Sequence, residues 1–145
     1  MKLKIAFLQL IPGVNIEDNI EKGIKACRKA KAEGADIALF PEMWSSGYVF
    51  PHNGEWLEQN SVSLESEYMK RFSEIAVELD MAIAVTLLEK HEPKPRNTVC
   101  LFDRHGGWYI VIQRYIFVIL ERMMTKVYLM PETIFMLRSW IPRRA

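Results

Sequence analysis

The chain opens with two different spacings of apolar residues. Residues 2–10 alternate, with Leu3, Ile5 and Phe7 on one face, which predicts a strand that buries that face. Asn15 then stands where a helix N-cap is expected, and the apolar residues after it recur at the spacing of a buried helical stripe. The opening of the chain therefore predicts a strand followed by an amphipathic helix.

Further strands and one more helix follow in the same alternation. The predicted elements are a short apolar strand over residues 35–40, a helix over 63–79, a strand covered on both faces over 81–88 and a fourth strand over 97–103. Residues 41–59 are predicted to form a loop rich in aromatic residues. The order β-α-β-α-β-β is typical of a layered α/β sheet, in which the first two strands run parallel through a right-handed crossover.

Composition and charge narrow the class of protein. The 145 residues are 50% hydrophobic and 26% charged with a net charge of +1, which suits one globular domain and excludes a disordered chain. This charge gives no argument for nucleic-acid binding, and two cysteines are too few for a disulfide framework or a zinc cluster. No secretory signal is visible, and the apolar run over 108–120 is shorter than the roughly 20 residues of a membrane span. We therefore expect a cytoplasmic protein with no membrane partner.

One carboxylate stands out because of where it follows a strand. Ligands of open α/β sheets bind at the carboxyl ends of strands, and Glu42 comes directly after the strand that ends at Phe40. The rings of Phe40, Trp44 and Tyr48 are expected to wall this site and lower its dielectric, which favours a carboxyl that can take up a proton as a general base does. The alternative is that Glu42 caps the next element or pairs with a surface lysine.

The residues around Glu42 resemble a known family. The segment FPEMWSSGY, residues 40–48, resembles the glutamate motif of the nitrilase (carbon–nitrogen hydrolase) superfamily. The opening KIAFLQL, the run EGADIALFPE and the later RNTVCLFDRHG follow in that family's order, so the resemblance covers residues 2–106. It implies the incomplete N-terminal part of an α-β-β-α sandwich, with Glu42 as the general base of a Glu-Lys-Cys triad. Asn97 and Thr98 match the family's Asn-Thr/Ser pair, for which we expect a structural role.

The chemistry implied by the resemblance is hydrolysis of a non-peptide carbon–nitrogen bond. In such an enzyme a cysteine attacks a small-molecule amide, carbamoyl or nitrile substrate, and Trp44 and Tyr48 are candidates for the substrate pocket. No metal or organic cofactor is implied. Members of the family commonly form homodimers, so a homo-oligomer is expected to be possible here.

The other two members of the triad have no match in the sequence. The family's lysine normally lies in a Tyr-x-Lys-x-His segment after the DRHG-like turn, where this chain reads WYIVIQRYIFVIL, and Lys126 lies too far along. No cysteine follows Cys100, and both Cys27 and Cys100 fit buried core positions better than a nucleophile. The chain is therefore expected to be truncated and inactive alone. The alternative is a non-catalytic α/β fragment that acts only through association with another chain.

The chain also changes character after residue 106. Residues 1–106 carry a net charge of −3 and residues 107–145 a net charge of +4, and no Gly, Asp or Asn follows Gly107. Back-translation of the segment from residue 109, shifted by one base, is compatible with YCYSKIHICDF, which contains the missing Tyr-x-Lys-x-His pattern. We therefore divide the chain into an N-terminal hydrolase part, 1–106, and an atypical tail, 107–145, that we interpret as out-of-frame translation. The alternative is a diverged C-terminus with its own packing.

Overall fold

The computed structural model describes residues 3–47 and 54–115, and within them the chain folds as a mixed α/β structure. The elements are β1 (Ile5–Phe7), α1 (Ile16–Ala32), β2 (Ile37–Leu39), α2 (Gly54–Asn60), α3 (Glu67–Glu78), β3 (Ala82–Glu89), β4 (Arg96–Phe102) and β5 (Trp108–Tyr115). The strands form a single five-stranded sheet in the order β1-β2-β3-β4-β5. The first three strands run parallel, and β3, β4 and β5 run antiparallel, which confirms the predicted α/β class.

Helix α1 begins where its sequence predicts. The side chain of Asn15 accepts a hydrogen bond of 2.9 Å from the backbone N–H of Asp18, which satisfies one of the free donors of the first turn. Acidic residues occupy the first turn and basic residues the last turn, in the arrangement that the helix dipole favours. The apolar stripe buries Ile20, Cys27 and Ala30 against the sheet and α3. The N-cap prediction at Asn15 is therefore confirmed.

Aromatic rings form the centre of the core between the sheet and helices α1 and α3. The ring of Phe72 in α3 meets Phe40 edge-on at a centroid distance of 5.1 Å and Tyr68 at 5.0 Å. Helix α1 reaches this cluster through Gly23, where an added methyl carbon would lie 2.8 Å from the Phe40 ring and 2.9 Å from the Phe72 ring. The absence of a side chain at Gly23 thus permits the close approach of α1 to the aromatic cluster.

The prediction of which face β1 buries is wrong. Leu3 is 50% exposed and Phe7 is 66% exposed, whereas Ala6 and Leu8 pack against the core. The reason is the pairing of β1 with β2, which sets Ala6 beside the fully buried Ala38 on the helix-covered face. Alternation shows that two faces differ but not which of them meets the helices, and a shift by one residue exchanges them.

Two elements lie in segments that the sequence assigned otherwise. All but the last residue of helix α2 falls within the predicted loop of residues 41–59, and the helix is held by a small apolar cluster in which Leu57 packs with Met43 and Leu88. Strand β5 lies within the tail assigned to residues 107–145 and pairs antiparallel with β4. The out-of-frame origin of the tail stays a prediction, and residues 116–145 lie outside the described part of the chain. None of the helices described here combines the length and apolar composition of a membrane-crossing helix.

Replacing Gly23 with alanine is expected to destabilise the protein. Alanine gains about 1 kcal/mol of helix propensity over glycine, but overpacking a core costs about 1–3 kcal/mol, and here the contacts are two ring edges that are themselves packed. Urea unfolding of Gly23→Ala should give a lower free energy of unfolding, while the exposed neighbour substitution Lys22→Ala should change it little. A Gly23→Ala protein more stable than the parent would contradict the close approach.

Candidate active site

Glu42 lies at the carboxyl edge of the parallel strands, where the sequence places it. Strand β2 ends at Leu39, and the backbone N–H of Phe40 still donates to the carbonyl of Ala84 on β3 at 3.0 Å. The chain then turns, and the Glu42 side chain is exposed. The candidate base is therefore placed by the end of β2 and not by a helix.

A hydroxyl on β3 holds the backbone on both sides of Glu42. The Thr86 hydroxyl donates to the carbonyl of Pro41 and accepts a 2.9 Å hydrogen bond from the backbone N–H of Trp44. Thr86 is 4% exposed, so these hydrogen bonds are shielded from water. The hydroxyl of Ser45 extends the contact by accepting from the backbone N–H of Leu88 at 2.9 Å. The turn is thus bonded to two alternate positions of β3, Thr86 and Leu88.

The turn contains a residue in the left-handed backbone region. Met43 has φ 51°, a conformation that costs a non-glycine residue roughly 1–2 kcal/mol. Its side chain is 1% exposed and packs with Leu57 and Leu88. Burial of this side chain, together with the Thr86 hydrogen bonds, offsets the backbone strain and keeps the turn sharp.

Asn97 joins Glu42 from a second strand. It lies on β4 opposite Leu88, and its Nδ2 donates a hydrogen bond to Oε1 of Glu42 across 55 residues of sequence. The sequence assigned Asn97 a structural role, and the structure brings its carboxamide to the candidate base. The other oxygen of Glu42, Oε2, makes no hydrogen bond to another of the described residues.

The neighbouring Thr98 lies on the other face of the sheet. It is fully buried, and its hydroxyl donates to Oε2 of Glu89, which is 3% exposed. Sequence reasoning missed Glu89, although an acidic residue that ends a strand covered on both faces could have indicated a buried carboxylate. Thr98 therefore provides a hydrogen-bond donor to the buried carboxyl of Glu89, whereas Asn97 provides one to the exposed carboxyl of Glu42.

Of the two aromatic residues predicted to line a substrate pocket, the structure describes Trp44 but not Tyr48. Trp44 is 1% exposed, its indole N–H donates to the carbonyl of Asn19 at 2.9 Å, and its ring lies 5.8 Å from that of Phe40 in the core. The expected desolvation of Glu42 by Phe40 and Trp44 is therefore wrong, because both rings pack inward. Tyr48 lies outside the described residues, and a pocket role for either residue stays a prediction.

Both cysteines lie in the core and are poor nucleophiles there. Cys27 and Cys100 are fully buried, and burial raises the pKa of each thiol from 9.0 to about 12, with the charge of Glu89 adding to the shift at Cys100. A thiol must ionise to attack an electrophile, so neither can serve near neutral pH. Among the described side chains, no three His, Cys, Asp or Glu residues cluster as metal ligands would.

Comparison with known proteins points to one family. A sequence model of the carbon–nitrogen hydrolase family matches residues 4–134. An arylacetone-specific nitrilase of Alcaligenes faecalis is 29% identical over 108 residues, covering 66% of this chain and 30% of its own length. The glutamine-dependent NAD(+) synthetase of Thermotoga maritima is 26% identical over 92 residues, covering 63% of this chain and 16% of its own.

Solved structures agree with the sequence comparison. An amidase from Nesterenkonia sp. superposes with a TM-score of 0.61 and 25% identity, covering 78% of this chain and 42% of the amidase. A CN-hydrolase superfamily protein from Xanthomonas campestris shares the fold with a TM-score of 0.66 at 16% identity, over 79% of this chain and 42% of that protein. The chain thus spans less than half the length of each of these relatives.

Replacing Thr86 with valine is expected to loosen the turn that carries Glu42. Valine keeps the shape but leaves the carbonyl of Pro41 and the N–H of Trp44 without their partner, which costs about 1–3 kcal/mol for a buried group. Chemical unfolding of Thr86→Val should show this loss. The matched control is Ser46→Ala in the same turn, where only a 3.4 Å hydrogen bond to Met43 is removed. Equal stabilities of the two variants would contradict the role of Thr86.

The raised thiol pKa values predict protection of both cysteines in the folded state. Iodoacetamide at pH 9 should modify neither residue until urea unfolds the protein. Above pH 9 the unfolded thiols ionise while the folded ones stay protonated up to about pH 12, so the free energy of unfolding should fall as the pH rises through this range. Rapid alkylation of the native protein, read by mass spectrometry, would contradict the burial.

Proposed function

Since the chain belongs to the carbon–nitrogen hydrolase family, we propose that it is the part of a Glu-Lys-Cys hydrolase that carries the general base, and that Glu42 is this base. One observation carries the proposal: the Glu42 carboxylate stands at the carboxyl edge of β2, where the backbone of Pro41 and Trp44 on either side is bonded to β3 and one of its own oxygens is bonded to β4. Glu42 is exposed, so its other oxygen, Oε2, is the one that would take a proton from a reacting group.

In the proposed reaction Glu42 moves a proton twice. Its carboxylate accepts the proton of a cysteine thiol as the sulfur attacks the carbon of an amide, and then delivers that proton to the departing amine, which leaves a thioester. Glu42 next takes a proton from water, whose oxygen attacks the thioester and releases the acid. The proton then passes from Glu42 to the departing thiolate, which restores the thiol and the free base. A lysine would stabilise the oxyanion of the tetrahedral intermediates. A nitrile would enter through a thioimidate, to which water adds with release of ammonia to give the same thioester.

The substrate class we propose is a small-molecule amide, carbamoyl compound or nitrile. The proteins that the chain resembles include nitrilases and an amidase, which supports this range and not one member of it. The chain itself has no lysine in β5, the strand after the DRHG-like turn, and no cysteine after Cys100. We therefore propose that this chain has the base but no turnover alone, because loss of one triad member removes nearly all of the triad's contribution.

Sequencing the gene from codon 100 onward tests the proposed frame change. We expect one alternative frame after codon 107 to encode Tyr-Ser-Lys-Ile-His and, further on, a cysteine in a glycine-rich turn. Early stop codons in both alternative frames would contradict the frame change and favour a genuine, diverged C-terminus.

The role of Glu42 is tested by turnover in a frame-corrected protein, which is the protein encoded when the gene is read in the alternative frame after codon 107. This protein should release ammonia from a simple amide or nitrile, and Glu42→Gln should lower kcat by about 100- to 10,000-fold, the usual contribution of a general base. The control is Glu58→Gln on α2, an exposed glutamate whose replacement should leave kcat unchanged. The uncorrected chain should show no turnover. Equal rates for Glu42→Gln and Glu58→Gln would contradict the proposal.

A second candidate function is association with another chain without catalysis. The observation in its favour is an exposed apolar surface around β1, which forms one edge of the described sheet: Phe7 is 66% exposed, Ile11 86% and Val14 91%. An open groove with a volume of about 450 Å³ lies beside this surface and is lined by Phe7, Leu39 and Pro41, among others. Apolar patches beside a free strand edge are typical of interaction surfaces. Sedimentation of the purified chain should then show self-association that Phe7→Lys reduces, while a monomer at all concentrations would count against it.

A further inference from the structure

We propose that Asn97 is a positioning residue of the active site: its carboxamide holds Oε1 of Glu42 so that Oε2 is the oxygen that takes the proton. The proposal rests on the proposed role of Glu42 as the base. It replaces the purely structural role that the sequence suggested for Asn97 with a role in orienting the reacting carboxyl.

The relative position of the two side chains is set by the register of the sheet. Asn97 stands opposite Leu88, and the N–H of Leu88 donates to the Ser45 hydroxyl in the turn that carries Glu42. Two residues earlier on β3, Thr86 holds the backbone on either side of Glu42. The same short segment of β3 therefore anchors both the acceptor and its donor.

The chemistry of the two groups explains why one oxygen is selected. The Nδ2 group of asparagine is a donor only, so Oε1 can remain bonded to it as a carboxylate oxygen or as the carbonyl oxygen of a neutral acid. A proton on Oε1 would make that oxygen a poorer acceptor and so weaken the hydrogen bond from Nδ2. Protonation at Oε2 keeps the bond intact in both states, and the side chain need not move as the proton is gained and lost.

Burial does not account for this hydrogen bond. Glu42 is exposed, and water could solvate both of its oxygens, whereas the buried Glu89 needs the Thr98 hydroxyl because it is shielded from solvent. The Asn97 hydrogen bond is therefore not needed to replace lost solvation of the Glu42 carboxylate. Its effect is to fix the orientation of that carboxylate. Direction is what a base needs to meet the proton of a bound reactant.

The chain contains a comparable pair that serves as a control. Gln59 Nε2 donates to Oε1 of Glu55 at 3.0 Å, but both residues are exposed and lie four positions apart on the seven-residue helix α2. Neither is tied to the sheet. We expect the Gln59–Glu55 pair to exchange rotamers freely in solution and the Asn97–Glu42 pair to hold one geometry.

The test is the rotamer distribution of Glu42 in the full chain, measured by three-bond couplings of its side chain in NMR spectra. The parent protein should show one dominant rotamer for Glu42 and averaged values for Glu55. Asn97→Leu should convert the Glu42 couplings to averaged values, and Asn97→Asp should also displace Glu42, because two carboxylates then face each other. Gln59→Leu should leave Glu42 unchanged. Thermal unfolding of each variant verifies that the fold is retained.

Two results would overturn the proposal. One is a Glu42 side chain that is as averaged in the parent as Glu55 is; the other is a dominant Glu42 rotamer that persists in the folded Asn97→Leu protein. In the frame-corrected protein, Asn97→Leu should lower kcat by about 10- to 100-fold with little change in KM, the scale expected for a misoriented group, and an unchanged kcat would count against the role. Absence of turnover in the frame-corrected parent would contradict Glu42 as base, while the rotamers alone would still decide the role of Asn97.

Discussion

The hydrogen bonds of Thr86 are the interaction on which the geometry of the site depends. One hydroxyl on β3 accepts from the backbone N–H of Trp44 and donates to the carbonyl of Pro41, and Glu42 lies between these two residues. Because β3 pairs with β2 on one side and β4 on the other, the same strand also fixes where Asn97 stands. The candidate base is thus located by the register of three neighbouring strands.

The core beneath the turn supports this arrangement from the helix-covered face. Phe40 and Trp44 precede and follow Glu42 by two residues, and both rings pack inward, where they meet each other and the aromatic cluster of α3. With the flanking residues anchored below the sheet edge, the Glu42 side chain is directed outward. The left-handed backbone of Met43 is part of the same turn. Its buried side chain packs with Leu57 and Leu88, and this packing offsets the backbone strain that would otherwise open the turn.

The chain covers only part of the length of the proteins that it resembles. It belongs to a family of carbon–nitrogen hydrolases, yet it spans 42% of the amidase that it superposes on, and the thiols it contains are buried and hard to ionise. If Glu42 is the base that we propose, the described residues hold it in place, and neither described cysteine is suited to attack a substrate. The exposed apolar residues around β1, which are Phe7, Ile11 and Val14, are typical of a surface that binds another protein segment.

Local pattern was enough to predict β1 to β4 with helices α1 and α3 between them, the N-cap at Asn15 and the place of Glu42 after a strand, because spacing, caps and turn residues act between near neighbours. It missed helix α2, whose few apolar contacts come from Met43 and Leu88 elsewhere in the chain. Only the tertiary structure decided that Phe7 is exposed, that Trp44 lies in the core and that Asn97 reaches Glu42. Each of these depends on which strand pairs with which and in what register. Residues 55 positions apart in the sequence meet only through that pairing, and periodicity along one strand carries no information about its partner.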